Sequence, residues 1–287
     1  MSGEAATATV LLDEASTRIA AALGLEKREA RLEARVLAAQ AWQVDRAWLI
    51  AHGSDPLSDA QAAQFQALLS RRLAGEPVAY LIGTREFYGR PFQVSPDVLI
   101  PRPDTELLVE LALARIPPDQ AVEVLDLGTG SGCIAITLAL ERPHAQVTAV
   151  DRSAAALAIA RRNAGILGAR VDFLRSDWFN ALIGRSFDLI VGNPPYIAAA
   201  DPHLANGDVR FEPLTALASG VDGLDDLRSL TAAARAHLKP GGVLLLEHGY
   251  DQADAVQSQL RQRGFRNVRS WADLAGILRV SGGEWPE

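Results

Sequence analysis

The chain has 287 residues, of which 48% are hydrophobic and 22% charged, a globular composition with enough length for one large core or two ordinary ones. The formal net charge of −7 carries no basic stripe of the kind that neutralises phosphates, so direct nucleic-acid binding is not expected. Cys133 is the one cysteine. That excludes an internal disulfide and, with no apolar run of membrane-spanning length and no signal-peptide pattern, points to the reducing cytoplasm.

Residues 1–75 read as a small helical bundle. Leu11, Leu12, Ile19 and Leu23 recur at helical spacing before Gly24, a second pattern runs through Leu32, Val36, Leu37 and Trp42, and a third through Trp48, Leu49 and Ile50. Ser58 has the position of an N-cap for a helix over 59–73, with Gly75-Glu76-Pro77 ending it. Residues 76–105 change character: Phe87 to Val94 predicts two short strands about a glycine turn. Ile100-Pro101-Arg102-Pro103-Asp104-Thr105-Glu106 is too rich in proline for a strand. This stretch is the expected junction between a first domain at 1–75 and a second at 106–287.

From residue 121 strands and helices alternate, the signature of a parallel sheet. Strands are expected at 122–127, 147–151, 171–174, 187–192 and 243–247, with two more near Val268 and over 277–280. Helices are expected at 131–141, after Ser153, around 227–238 and before the last two strands.

Two stretches carry chemistry. Asp126-Leu127-Gly128-Thr129-Gly130-Ser131-Gly132 is a glycine-rich turn between the first of these strands and its helix, where backbone N–H groups can approach a ligand. Asp151, ending the next strand, is placed to accept from ribose hydroxyls. The spacing differs from the G-x-G-x-x-G of nicotinamide binders, and Asp126 suits a methionine amino group better than a pyrophosphate, which favours S-adenosylmethionine. In Ser176-Asp177-Trp178 the tryptophan can pack on an adenine or serve the core.

The second stretch is Asn193-Pro194-Pro195-Tyr196, at the end of the apolar run Phe187 to Gly192. Prolines stiffen the segment and have no N–H, so the Asn193 side chain and the Pro194 carbonyl form two fixed acceptors beside the Tyr196 ring. That set suits a planar amino group, either a carboxamide or the exocyclic amine of adenine or guanine. The five histidines are scattered without metal-ligand spacing, so no metal is expected. Cys133, at the start of a buried helix, reads as packing.

Glu76-Pro77-Val78-Ala79-Tyr80, Arg85-Glu86-Phe87, the Ile100 to Glu106 stretch, the glycine loop, Asn193-Pro194-Pro195-Tyr196 and Phe211-Glu212-Pro213 occur in that order. Together they resemble the peptide chain release factor glutamine methyltransferases, the HemK-like family. The resemblance implies a seven-stranded Rossmann-like class I methyltransferase domain, preceded by a helical substrate-recognition domain and a β-hairpin linker. It implies methyl transfer from S-adenosylmethionine to the side-chain nitrogen of the glutamine in the Gly-Gly-Gln motif of class I release factors; a monomer is expected. Carried onto this sequence, Gly128, Thr129, Gly130, Ser131, Gly132, Asp151, Trp178 and Asn193 would line the cofactor. Asn193, Pro194, Pro195 and Tyr196 would hold the glutamine, with Asn193, Pro194 and Tyr196 as the catalytic set.

Overall fold

The computed structural model describes residues 7–286, which fall into two compact units, one of residues 7–83 with 205–211 and one of 84–204 with 212–286. In the first, α1 (Ala8–Leu23), α2 (Lys27–Trp42), α3 (Arg46–Ala51), α4 (Asp59–Leu73) and α5 (Val78–Ile82) pack around Ile19, Leu37, Phe65 and Leu69. Two helix ends show a clear local cause. Gly24 closes α1 in the left-handed region, and Ser58 opens α4 with a capping box to Gln61, its side chain accepting from the Gln61 N–H. The helical spacing was informative but not uniform, since Leu32 and Ile50 lie on the exposed side of their helices. Arg72 of α4 is buried and donates to Glu33 at 2.8 Å and to Asp208 at 2.7 Å. The 205–211 segment is thereby fastened to the helices.

The second unit opens on an antiparallel hairpin, β1 (Thr84–Phe87) and β2 (Arg90–Gln93), and continues with α6 (Thr105–Leu113). Then come β3 (Glu123–Leu127), α7 (Cys133–Glu141), β4 (Gln146–Asp151), α8 (Ala154–Leu167), β5 (Asp172–Arg175) and β6 (Phe187–Gly192). After a long connection follow α9 (Asp225–Ala233), β7 (Leu238–Glu247), α10 (Ala253–Gln262), β8 (Arg266–Ala272) and β9 (Leu278–Glu284). The seven strands of the main sheet lie in the order β5-β4-β3-β6-β7-β9-β8. The first five are mutually parallel, and β9 runs antiparallel to both β7 and β8. Strands β3, β4 and β6 are nearly continuous buried runs, as expected inside a parallel sheet, whereas β5, at the edge, begins and ends on exposed charged residues.

Several boundaries differ from the sequence expectation, two of them for a clear physical reason. Helix α7 begins at Cys133 rather than Ser131, because Gly132 adopts φ +84° and a helix cannot pass through that conformation. Strand β7 begins at Leu238, so Lys239-Pro240-Gly241-Gly242 lies inside a strand rather than in a turn. The proline is tolerated there because the pairing with β6 shifts register between Phe187 and Leu189.

Candidate active site

The chain leaves β3 outward through β4 and β5, then returns to place β6 on the other side of β3. The carboxyl ends of β3 and β6 therefore flank a topological switch point, where such sheets open a crevice. The loop after β3 is organised by its neighbour. The Gly128 and Thr129 N–H groups both donate to the Val150 carbonyl at 2.9 Å. The Asp151 carboxylate takes the Gly130 N–H at 2.9 Å on Oδ2 and the Ser153 N–H at 2.8 Å on Oδ1. Each of these carboxylate oxygens keeps a second lone pair for a ligand.

Asp126 lies beneath this loop, fully buried. Its Oδ2 accepts from the Thr129 hydroxyl at 2.6 Å, while Oδ1 has no hydrogen-bond partner among the described residues. Burial pushes its pKa up to about 7 against the opposing effects of the Thr129 hydroxyl and the Ala135 backbone N–H. A buried carboxyl with one oxygen unpartnered costs free energy and is suited to a neighbouring cationic amino group.

Trp178 forms the facing wall. Its backbone is at φ +47°, a strained value for a bulky residue. The Ser176 hydroxyl holds the turn by accepting the Ala181 N–H and donating to the Trp178 carbonyl. The indole N–H donates to Asp226 at 3.2 Å, and the ring lies so close to Gly128 that an added Cβ would meet it at 3.2 Å. Between these walls is a cavity of about 230 Å³, bounded also by Val98, Asn193, Pro195 and Pro213. Glu212 secures its rim, with one carboxylate oxygen accepting the Ile100 N–H at 3.0 Å and the other paired with Arg102.

Asn193 follows β6. Its side-chain nitrogen donates to the Thr105 hydroxyl at 3.1 Å, which assigns the other end of the carboxamide, the acceptor oxygen, to the cleft side. Tyr196 is anchored through its carbonyl, which accepts from Gln252 at 2.9 Å. Burial raises its phenol pKa well above the ordinary value, so it stays neutral.

Of the residues singled out in the sequence, Gly128, Gly130, Asp151, Trp178, Asn193 and Pro195 line one cavity. Thr129, Ser131 and Gly132 are buried behind the wall and shape the loop. A Cβ at Gly132 would meet Ile136 at 2.7 Å, and the Ser131 carbonyl accepts from Asn163 at 2.9 Å. Pro194 and Tyr196 likewise sit beside the cavity without lining it. Sequence reasoning missed Thr105 and Gln252, which bond to Asn193 and Tyr196, and the buried Glu247 at the end of β7. For Glu247 a signal existed, an acid closing the apolar run Val243 to Leu246.

Residues 11–83 match the family model described as the PrmC N-terminal domain, and 104–207 that of the methyltransferase small domain. A Bordetella pertussis protein named release factor glutamine methyltransferase is 56% identical over 254 residues, covering 88% of this chain and 94% of its own length. The chain belongs to the release factor glutamine methyltransferases. Its relative of that name in Escherichia coli is 47% identical, covering 89% of this chain and 92% of its own. The fold of this family member is shared with a methyltransferase crystal structure from Pyrococcus furiosus, at TM-score 0.54 and 18% identity over 76% of this chain and 98% of that one.

Proposed function

We propose that the chain transfers a methyl group from S-adenosylmethionine to the side-chain amide nitrogen of the glutamine in the Gly-Gly-Gln motif of class I release factors, supporting translation termination. It acts as a monomer on a protein substrate, without binding nucleic acid directly. The observation that carries this reading is Asn193, a carboxamide with its donor end already engaged and its acceptor end left for a partner. The cavity fits the cofactor: Gly128, Gly130, Asp151, Trp178 and Asn193 would hold it, Thr129, Ser131 and Gly132 would shape the loop around it, and the Asp126 carboxyl, buried beneath that loop, would answer the charge of its amino group. When bound, S-adenosylmethionine supplies an electrophilic methyl group on a sulfonium.

The protein's own task is placement. An amide nitrogen is a poor nucleophile because its lone pair is delocalised into the carbonyl. The Asn193 oxygen and the Pro194 carbonyl accept its two N–H groups and fix the direction of that lone pair, an effect that can supply on the order of 7–11 kcal/mol. Pro195 stiffens the turn, and Tyr196, tied to Gln252, keeps it from drifting. The nitrogen becomes strongly acidic on alkylation, so its proton leaves without a dedicated base. We assign substrate recognition to the helical unit.

The test is mass spectrometry of a release factor incubated with the protein and S-adenosylmethionine. The expected result is a gain of one methylene mass on the Gly-Gly-Gln glutamine, absent with Asn193→Ala. An unmodified glutamine with cofactor bound would overturn the reading and turn attention to a base amine in nucleic acid.

A further inference from the structure

In the substrate reading above, on which this inference rests, the Asn193 carboxamide must be held in one orientation. Its nitrogen donates to Thr105 Oγ1, on the first turn of α6, where the side chain is buried at 2% exposure. A hydroxyl that accepts one hydrogen bond still has its own proton to place. The nearby acceptor is the carboxyl of Glu247, the last residue of β7, only 1% exposed. The sheet puts it there: Gly192, immediately before Asn193, pairs with Leu246, immediately before Glu247.

Both the Thr105 and the Tyr196 hydroxyls lie against this carboxyl and favour its charged form, Asp104 and Arg279 act on it in opposite senses, and burial outweighs them all. Its Oε2 nevertheless has no hydrogen-bond partner among the described residues. A carboxyl in such a place is a poor structural choice, because an apolar side chain of similar size would pack there at no polar cost. Its position beneath both Thr105 and Tyr196 is therefore the feature that needs a reason.

We propose that Glu247 is a positioning residue for methyl transfer, acting through the Thr105 hydroxyl to keep the Asn193 carboxamide oxygen turned toward the substrate. Glu247 itself touches neither reactant. Without an acceptor at this site, Thr105 would donate to Asn193 instead, and the amide could flip so that its NH2 group faces the substrate NH2.

Glu247→Leu, Glu247→Gln and Thr105→Val separate this from a merely structural role. Glu247→Leu should lower kcat on the order of tenfold or more, with KM for the release factor, cofactor affinity and melting temperature unchanged or the last one raised. Glu247→Gln keeps an acceptor oxygen and should restore most of the rate. Thr105→Val should match Glu247→Leu, and the double variant should be no worse, since both break one chain. A rate retained within about twofold in Glu247→Leu, or a loss that follows cofactor affinity and melting temperature, would overturn the proposal. A second readout needs no substrate: the side-chain amide NMR signals of Asn193, identified by their loss in Asn193→Asp, should shift or broaden in Glu247→Leu and stay in place in Glu247→Gln. Unchanged signals in Glu247→Leu would also overturn it. If the wild-type protein leaves release factors unmodified while these signals respond as expected, the substrate reading fails and the positioning role stands.

Discussion

Asn193 presents its NH2 group to Thr105 and borders the cleft, so truncating it removes an acceptor for the substrate and leaves a buried hydroxyl to find a new partner. Asn193→Ala should lower kcat by roughly 10²-fold, measured by the rate of methyl incorporation into a release factor. Asp126 makes a prediction about protons. Its pKa stands at about 7 because burial favours the neutral acid, whereas a cationic amino group favours the carboxylate. Cofactor binding near pH 6 should thus release up to about one proton and should tighten as pH rises through about 7. Calorimetry in buffers of different ionisation enthalpy measures this. Asp126→Asn should abolish the proton release, and a wild-type enthalpy independent of buffer would contradict the assignment.

At the scale of single elements, local rules account for most of the boundaries. The Ser58–Gln61 capping box ties down the start of α4, and Ser58→Ala should cost about 1 kcal/mol, read as a lowered midpoint in thermal or urea unfolding with methyl transfer intact. The turn holding Trp178 is different, because its positive φ is imposed by the Ser176 hydrogen bonds and by the ring's place against Gly128. Nothing in the local sequence asks for it. Loops that carry a ligand wall are where such strain accumulates.

For the molecule as a whole, two buried carboxyls set a pH trend. Asp126 and Glu247 each have pKa values raised to about 7 by burial. Between their ordinary values and about pH 7 the folded state holds protons that the unfolded chain has lost, so their contribution to stability falls as pH rises through that window and levels off above it. Urea unfolding at several pH values should show a shallower decline for Asp126→Asn and for Glu247→Gln than for the wild type. Asp222, exposed, and Asp273, half-buried, whose pKa values are lowered by hydrogen bonds, chiefly from Arg228 and from the Ile277 N–H respectively, act in the opposite sense at more acid pH. Within the helical unit, Asp208 is fastened by the buried Arg72, and Arg210 by the Ala74 carbonyl at 2.6 Å. Asp208→Ala should make trypsin cleavage after Arg210 several-fold faster, because proteolysis follows local opening.

The sequence by itself determined the helical bundle, the alternating strands and helices, the glycine loop with Asp151, and Asn193-Pro194-Pro195-Tyr196 as a stiff turn at the end of a buried strand. Those features are local: apolar period, caps, glycines at positive φ and prolines without N–H groups act within a few residues of themselves. What only the tertiary structure decided is what stands behind them. Thr105, Asn193 and Glu247 lie far apart in the chain and meet because α6, β6 and β7 converge at one end of the sheet. The same holds for Glu212 reaching Ile100 and Arg102, and for Arg72 reaching Asp208. The division of Thr129, Ser131 and Gly132 from the residues that line the cavity also depends on the fold, since only packing decides which side of a glycine loop faces a ligand. Pairings of this kind depend on strand order and register, which the pattern of side chains along a single chain constrains only weakly.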